Sequence, residues 1–245
     1  LAPHPDDESL GCGGAVALAV QRHVPVRVVV MTDGSRSHPA SRRFPADRLA
    51  ALRRKEVEAA WEVLTGSSAG VIWLGYSDCG LPTDSAGLER LVDALEHEVE
   101  SLQASAVWAT WVNDPHCDHE ATAGIARMLG CRRPGLARWS YPVWGRFGEL
   151  APSALPRQGR LVRLDTHTVE PRKARAMRCV SAMLWPRNWR IWAIPLRSST
   201  LKQPMRSRRA RSATISRRMR KSSTRSKRCL PSPRVRCARR RAIPI

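Results

Sequence analysis

Short runs of β-branched residues, separated by stretches of helical periodicity, constrain this chain more than any other feature. Val24–Met31 (VPVRVVVM) stops at the turn Thr32-Asp33-Gly34, which predicts a buried strand. Val71–Leu74, ended by Gly75, and Ala106–Trp111 (AVWATW) read the same way. Between them, Ala46–Leu64 spaces Leu49, Leu52, Val57, Ala60, Trp61 and Leu64 as a helix does, opposite a charged face. Ala86–Leu102 does so with Leu88, Leu91, Leu95 and Val99. Gly11–Gly14 predict a tight turn, Ala15–Arg22 a short apolar helix after it, and Glu120–Leu129 a later helix. Arg138–Trp144 reads as a fourth strand, with Pro142 marking an edge or bulge, and Arg160–Leu164 as a candidate fifth. Strands alternating with helices imply parallel pairing through crossovers. The expected fold class is α/β, a three-layer sandwich around a mostly parallel sheet.

Ligands of such sheets bind beyond the carboxyl ends of the strands. Two polar clusters follow strands directly. Leu1 and Ala2 look like the tail of a strand leading into Pro3-His4-Pro5-Asp6-Asp7-Glu8, where one imidazole and three carboxylates fall within five residues. Ala106–Trp111 runs into Asn113–His119 (NDPHCDH). The clusters lie over 100 residues apart, yet both are expected at the same edge of the sheet.

A hydrolytic zinc ion takes about three protein ligands and keeps one position for water. His4 and Asp7, three apart on a turn, can point at one ion, and either His116 or His119 can supply the third ligand. Asp6, beside a ligand, would reach the water, whose pKa falls from about 15.7 toward 7 on a metal. A protonated His116 would stabilise an oxyanion, a role worth about 3–4 kcal/mol where one such donor is removed. These roles describe hydrolysis of an amide or ester. The plainer alternative is that Asp6, Asp7 and Asp118 cap helices, and that the two clusters are turn polarity. Two His/Asp clusters, each placed after a strand, favour the metal.

Pro3–Gly14 (PHPDDESLGCGG) and Asp114–Thr122 (DPHCDHEAT) resemble the PIG-L/LmbE-like family of zinc-dependent N-acetylglucosaminyl deacetylases. Thr32-Asp33-Gly34, Arg53–Glu56 (RRKE), Leu74–Leu81 (LGYSDCGL) and Tyr141–Trp144 (YPVW) resemble further family motifs in the same order, so the resemblance covers residues 1 to about 165. It implies a Rossmann-like fold and hydrolysis of an N-acetyl group on an amino sugar, an N-deacetylase acting on linear amide C–N bonds. It implies that His4, Asp7 and His119 bind Zn2+, that Asp6 is the general base, and that His116 is the electrostatic catalyst, oriented by Asp118. Arg53 and Asp78 match positions that meet substrate, with a helix-face ion pair and a turn residue as the plainer readings; Glu8 would support the site without binding metal. Two departures stand out. The family's first strand would precede Pro3, and only two residues stand there; the chain also begins at Leu1 without Met, so a fragment of a longer reading frame is expected. The family's basic helix begins at Lys173, Ala176 and Ser181 and then dissolves.

Charge divides the chain at that point. Residues 1–170 carry 18 Lys and Arg and all 21 Asp and Glu, a net −3, whereas residues 171–245 carry 24 basic residues and no acid. The division excludes a uniformly basic nucleic-acid-binding domain. A deacetylase domain is expected at 1–170 and a basic low-complexity tail at 171–245. Out-of-frame translation is the favoured origin of the tail, ahead of a disordered arm for nucleic acid or anionic membrane and of an inert extension. No run is long enough to span a membrane. Seven cysteines, odd in number and without CxxC spacing, fit a reducing cytoplasm and are expected as small apolar residues. Two functions compete with the deacetylase: a nucleic-acid-binding protein acting through the tail, and an inactive truncated deacetylase.

Overall fold

A computed structural model of the chain describes residues 1–146 and 161–180. Four strands alternate with helices: α1 Asp7–Gln21, β1 Val28–Thr32, α2 Ala46–Thr65, β2 Val71–Tyr76, α3 Ser85–Leu102, β3 Ala106–Thr110, α4 Cys117–Arg132, β4 Ala137–Tyr141 and α5 Glu170–Val180. β1 pairs with β2, and β3 with β4, both in parallel. Every residue of β1 is buried, and its two faces serve different layers. Val28 and Val30 pack with Val57 and Trp61 of α2, while Val29 and Met31 pack with Leu91, Val92 and Leu95 of α3 and Ile125 of α4. A period of two along a strand covered on both sides gives three layers, with α1, α2 and α5 opposite α3 and α4. Burying each such side chain stabilises the fold by about 1.5–3 kcal/mol.

β1 and β3 are joined by the first two residues. The Ala2 N–H donates to Val29 O (2.9 Å) and the Met31 N–H to Ala2 O (2.8 Å), so Ala2 bridges in parallel to Val30. The Leu1 amine donates to Trp108 O at 2.6 Å on the other side. Leu1 and Ala2 thus hold the place of a strand between β1 and β3, as their position before Pro3 predicts. Below them lies a cavity of about 450 Å3, lined by Val26, Val28, Leu95, Val107, Trp108 and their neighbours.

Three sequence expectations need correction. α1 starts at Asp7, not Ala15, and takes Gly11–Gly14 into the helix. Glycine weakens a helix by about 1 kcal/mol, but an added Cβ at Gly11 would stand 2.2 Å from the Tyr141 ring. Close packing therefore decides the residue, not a turn. Second, residues 161–166 form no strand, and Arg160 lies outside the described residues. Third, the folded domain does not stop at 170. Ala176 and Val180 of α5 are buried with Leu18 and Leu64, and Lys173 Nζ donates to Leu10 O at 3.2 Å. The start of the expected tail is an amphipathic helix closing the layer of α1 and α2. Ser181 and the remaining tail lie outside the described residues.

Candidate active site

Every loop that follows a strand contributes to one edge. His4–Asp7 follows the Ala2 bridge, Asp33 and Gly34 follow β1, Asp78 and Cys79 follow β2, Asp114–His119 follow β3, and Val143 follows β4. Capping does not account for the first cluster. Asp6 stands at the N-terminus of α1 but makes no capping hydrogen bond. Asp7 Oδ2 instead accepts the His4 N–H (2.9 Å) and stands 3.2 Å from both His4 Nδ1 and His119 Nε2. The three expected zinc ligands thus converge on one carboxylate oxygen. α4 is capped by His116, whose Nδ1 accepts the Asp118 N–H at 3.2 Å.

His119 lies one turn into α4 and is fully buried. Its Nδ1 faces Asp114 Oδ2 at 3.1 Å. Asp114 is fixed in turn by the Val143 and Gly145 N–H groups, at 2.8 and 2.9 Å. A carboxylate on Nδ1 sets the tautomer and frees Nε2 as a ligand; that Nε2 is buried and faces Asp7 Oδ2 at 3.2 Å without hydrogen-bond geometry. Donor atoms of His4, His116 and His119 lie within 4.8 Å of one another. Imidazole nitrogens with a carboxylate oxygen suit a borderline divalent cation such as Zn2+. The electrostatics agree. Burial opposes a charge on His4, but Asp118, Asp7 and Asp78 outweigh it and raise its pKa to about 12. The pocket is built around positive charge.

Asp6 has a different environment. Burial raises its pKa to about 7, against the pull of Arg53, whose guanidinium lies 3.1 Å from Asp6 Oδ2. Its φ of 105° is left-handed, a strain of about 1–3 kcal/mol that persists where surroundings over-determine it. Glu8, itself buried, accepts the Asp6 N–H at 3.1 Å and the Ser9 hydroxyl at 2.7 Å. Arg53 also donates to Gly34 O (3.0 Å) and to Pro5 O, tying the two loops together. Asp78 lies 3.5 Å from His4 Nε2 and accepts the Arg36 N–H at 3.1 Å. His4, Asp6, Asp7, Arg53, Asp78 and His116 line one cleft of about 590 Å3, with Arg36 and Trp144.

Two expectations about roles change. The Asp118 carboxylate faces His4 Nε2 (3.0 Å) and accepts the Cys79 N–H (2.8 Å); it is the Asp118 backbone N–H that orients His116. Burial and the charge on His4 lower the His116 pKa, and with Nδ1 accepting the Asp118 N–H the neutral ring carries its proton on Nε2. Asp114, given no role by the sequence reading, organises His119; its signal was a carboxylate in the loop of the histidines. Trp144 and Arg36 were also missed as cleft residues, and neither side chain has a sequence pattern that reports a pocket.

This is an α/β domain that gathers histidines and carboxylates at its strand ends, beside a cleft, as a candidate site for a divalent cation. The chain belongs to the PIG-L family, described as GlcNAc-PI de-N-acetylase, whose model matches residues 1–129. It is 33% identical over 131 residues to a probable N-acetyl-alpha-D-glucosaminyl L-malate deacetylase 2 of Bacillus anthracis, covering 52% of this chain and 56% of that protein. It is 32% identical over 162 residues to a 1D-myo-inositol 2-acetamido-2-deoxy-alpha-D-glucopyranoside deacetylase of Mycolicibacterium smegmatis, covering 57% and 54%. The chain spans about half the length of the curated relatives it matches. A solved N,N'-diacetylchitobiose deacetylase of Pyrococcus horikoshii superposes with a TM-score of 0.60 at 25% identity, covering 78% of this chain and 72% of that one. No helix among the described residues is long and apolar enough to cross a membrane.

Proposed function

We propose that this chain is a zinc-dependent deacetylase that hydrolyses the N-acetyl group of an amino sugar or its conjugate. The observation that carries the reading is the convergence of His4 Nδ1 and the buried His119 Nε2 on Asp7 Oδ2, each at 3.2 Å, while Asp114 fixes His119 Nδ1. The names of the relatives support the substrate class. His4, Asp7 and His119 would hold the ion. A bound zinc lowers the pKa of water and polarises a carbonyl oxygen.

The residues of this chain do the rest. Asp6, with a pKa raised to about 7, takes the proton of the attacking water; a base is most effective near the working pH. Arg53 keeps Asp6 aimed into the cleft. His116 donates to the developing oxyanion and is held by the Asp118 N–H. Charge aimed in advance at the developing oxyanion is worth more than binding of the ground state. The amine leaves with the proton that Asp6 has taken. Half-exposed Trp144 and Arg36 frame the side of the cleft where the sugar would lie. The proposed compartment is the cytoplasm, in keeping with five described cysteines that are all unpaired.

The test is zinc content and acetate release from N-acetylglucosaminides by the purified chain. One zinc per chain and acetate release removed by Asp6→Asn, with zinc retained, are the expected results. A chain that binds no zinc ends this reading.

A further inference from the structure

Two of the described cysteines do not behave as small core residues. Cys79 and Cys117 are exposed and belong to none of the apolar clusters. They meet at the rim of the cleft, one from the loop after β2 and one at the first residue of α4. Cys79 Sγ, Cys117 Sγ and a ring nitrogen of His116 all lie within 4.8 Å of one another. Cys117 Sγ stands 3.9 Å from His116 Nδ1.

The loop carrying Cys79 is held in place. Cys79 adopts a left-handed φ of 60°, its N–H donates to Asp118 Oδ2 at 2.8 Å, and the Asp78 N–H donates to Asp33 Oδ1 at 3.1 Å. The backbone that presents one thiol is thus tied to the loop that presents the other. Ligand atoms around a tetrahedral zinc, with Zn–S near 2.3 Å, stand about 3.5–3.8 Å apart. Small rotations of two exposed thiols cover the remaining distance.

Two thiolates and an imidazole form a softer donor set than His4, Asp7 and His119, and soft donors select thiophilic ions. We propose that Cys79, Cys117 and His116 form a second metal site for a thiophilic divalent cation, whose occupation draws His116 out of the cleft and inhibits hydrolysis. Each thiol releases its proton to solvent as the ion binds, and water completes the coordination. His116 is the switch because it belongs both to this set and to the set with His4 and His119. The inhibitory half rests on the deacetylase reading; the site itself does not.

Cadmium tests both halves. The full chain, reduced and loaded with one equivalent of zinc, is titrated with Cd2+ while thiolate-to-cadmium absorbance and acetate release are followed. The wild type is expected to gain an absorbance increment that the Cys79→Ser/Cys117→Ser double variant lacks; the other five cysteines are common to both. As the increment saturates, acetate release by the wild type should fall by about 100-fold, the loss typical of one oxyanion donor, with the double variant resisting the same concentration. Equal absorbance in the two forms overturns the site. An increment confined to the wild type with undiminished acetate release overturns the inhibition. If the chain releases no acetate at any cadmium concentration, the absorbance difference still decides the site, and the deacetylase reading fails separately.

Discussion

Replacing Asp114 by Asn separates the support of the site from its chemistry. Asp114 is 3% exposed. Oδ2 faces His119 Nδ1 at 3.1 Å and accepts the Val143 N–H at 2.8 Å, while Oδ1 accepts the Gly145 N–H at 2.9 Å. Asparagine has one acceptor oxygen for these three donors. Its better placement keeps that oxygen on His119 and Val143 and turns the amide NH2 toward the Gly145 N–H. One partly buried donor then loses its partner, a loss of about 1–3 kcal/mol. For a domain of this size the melting temperature should fall by roughly 3–10 °C. Removing the charge behind His119 should also weaken zinc by about 10–100-fold. Urea unfolding of the metal-free protein and competition with a chelator measure the two effects. Exposed Asp93, paired with Arg132, provides the control, since Asp93→Asn should stay within about 0.5 kcal/mol. If Asp114→Asn also stays within about 0.5 kcal/mol and zinc affinity is unchanged, Asp114 does not organise His119, and the argument from the fixed His119 ring collapses.

Asp6→Asn should lower kcat by about 100- to 10,000-fold, the range for a lost general base, with zinc content unchanged by metal analysis. The Asp6 carboxyl, raised to about 7 by burial, acts only when deprotonated; kcat/KM is therefore lost as pH falls, with its acidic limb at or below about pH 7 because a bound cation favours the carboxylate. A limb that persists unchanged in Asp6→Glu would assign it to another group. Gly11→Ala should destabilise by about 1–3 kcal/mol through overpacking, because its Cβ meets a Tyr141 ring whose hydroxyl donates to Leu1 O at 2.7 Å; equal urea midpoints would refute that contact. Ala176→Asp, at a fully buried position of α5, should lower stability by at least about 2 kcal/mol, and a neutral result would return α5 to the tail.

The strands and the clusters behind them were legible because both are local. β-branched runs mark Val28–Thr32 and Ala106–Thr110 whatever surrounds them, and His4, Asp7 and His119 carry their chemistry in residue type. What was not legible depends on partners distant in sequence. Gly11–Gly14 looked like a turn because nothing near them reports Tyr141 or Thr166, which make glycine the residue that fits within the helix. Asp114 took no role because its donors, Val143 and Gly145, arrive 29 and 31 residues later. α5 was hidden by charge: its apolar face is Ala176 and Val180, set among arginines that composition assigns to a tail.

The same long-range ties explain why this site depends on its fold so closely. His119 is set by Asp114, which is held by the end of β4. Asp118 is held from the loop after β2, through Cys79. Asp78 is held from the end of β1, through Asp33, and Asp6 from α2, through Arg53. Asp78, Asp118 and Asp6 are thus each fixed from an element other than the one that carries them. A one-residue slip of any strand would turn its side chains to the opposite face and move a neighbour's ligand as well as its own. On the proposed function, stability and catalysis share residues here, and a variant that loosens one tie should lose zinc before it loses the fold.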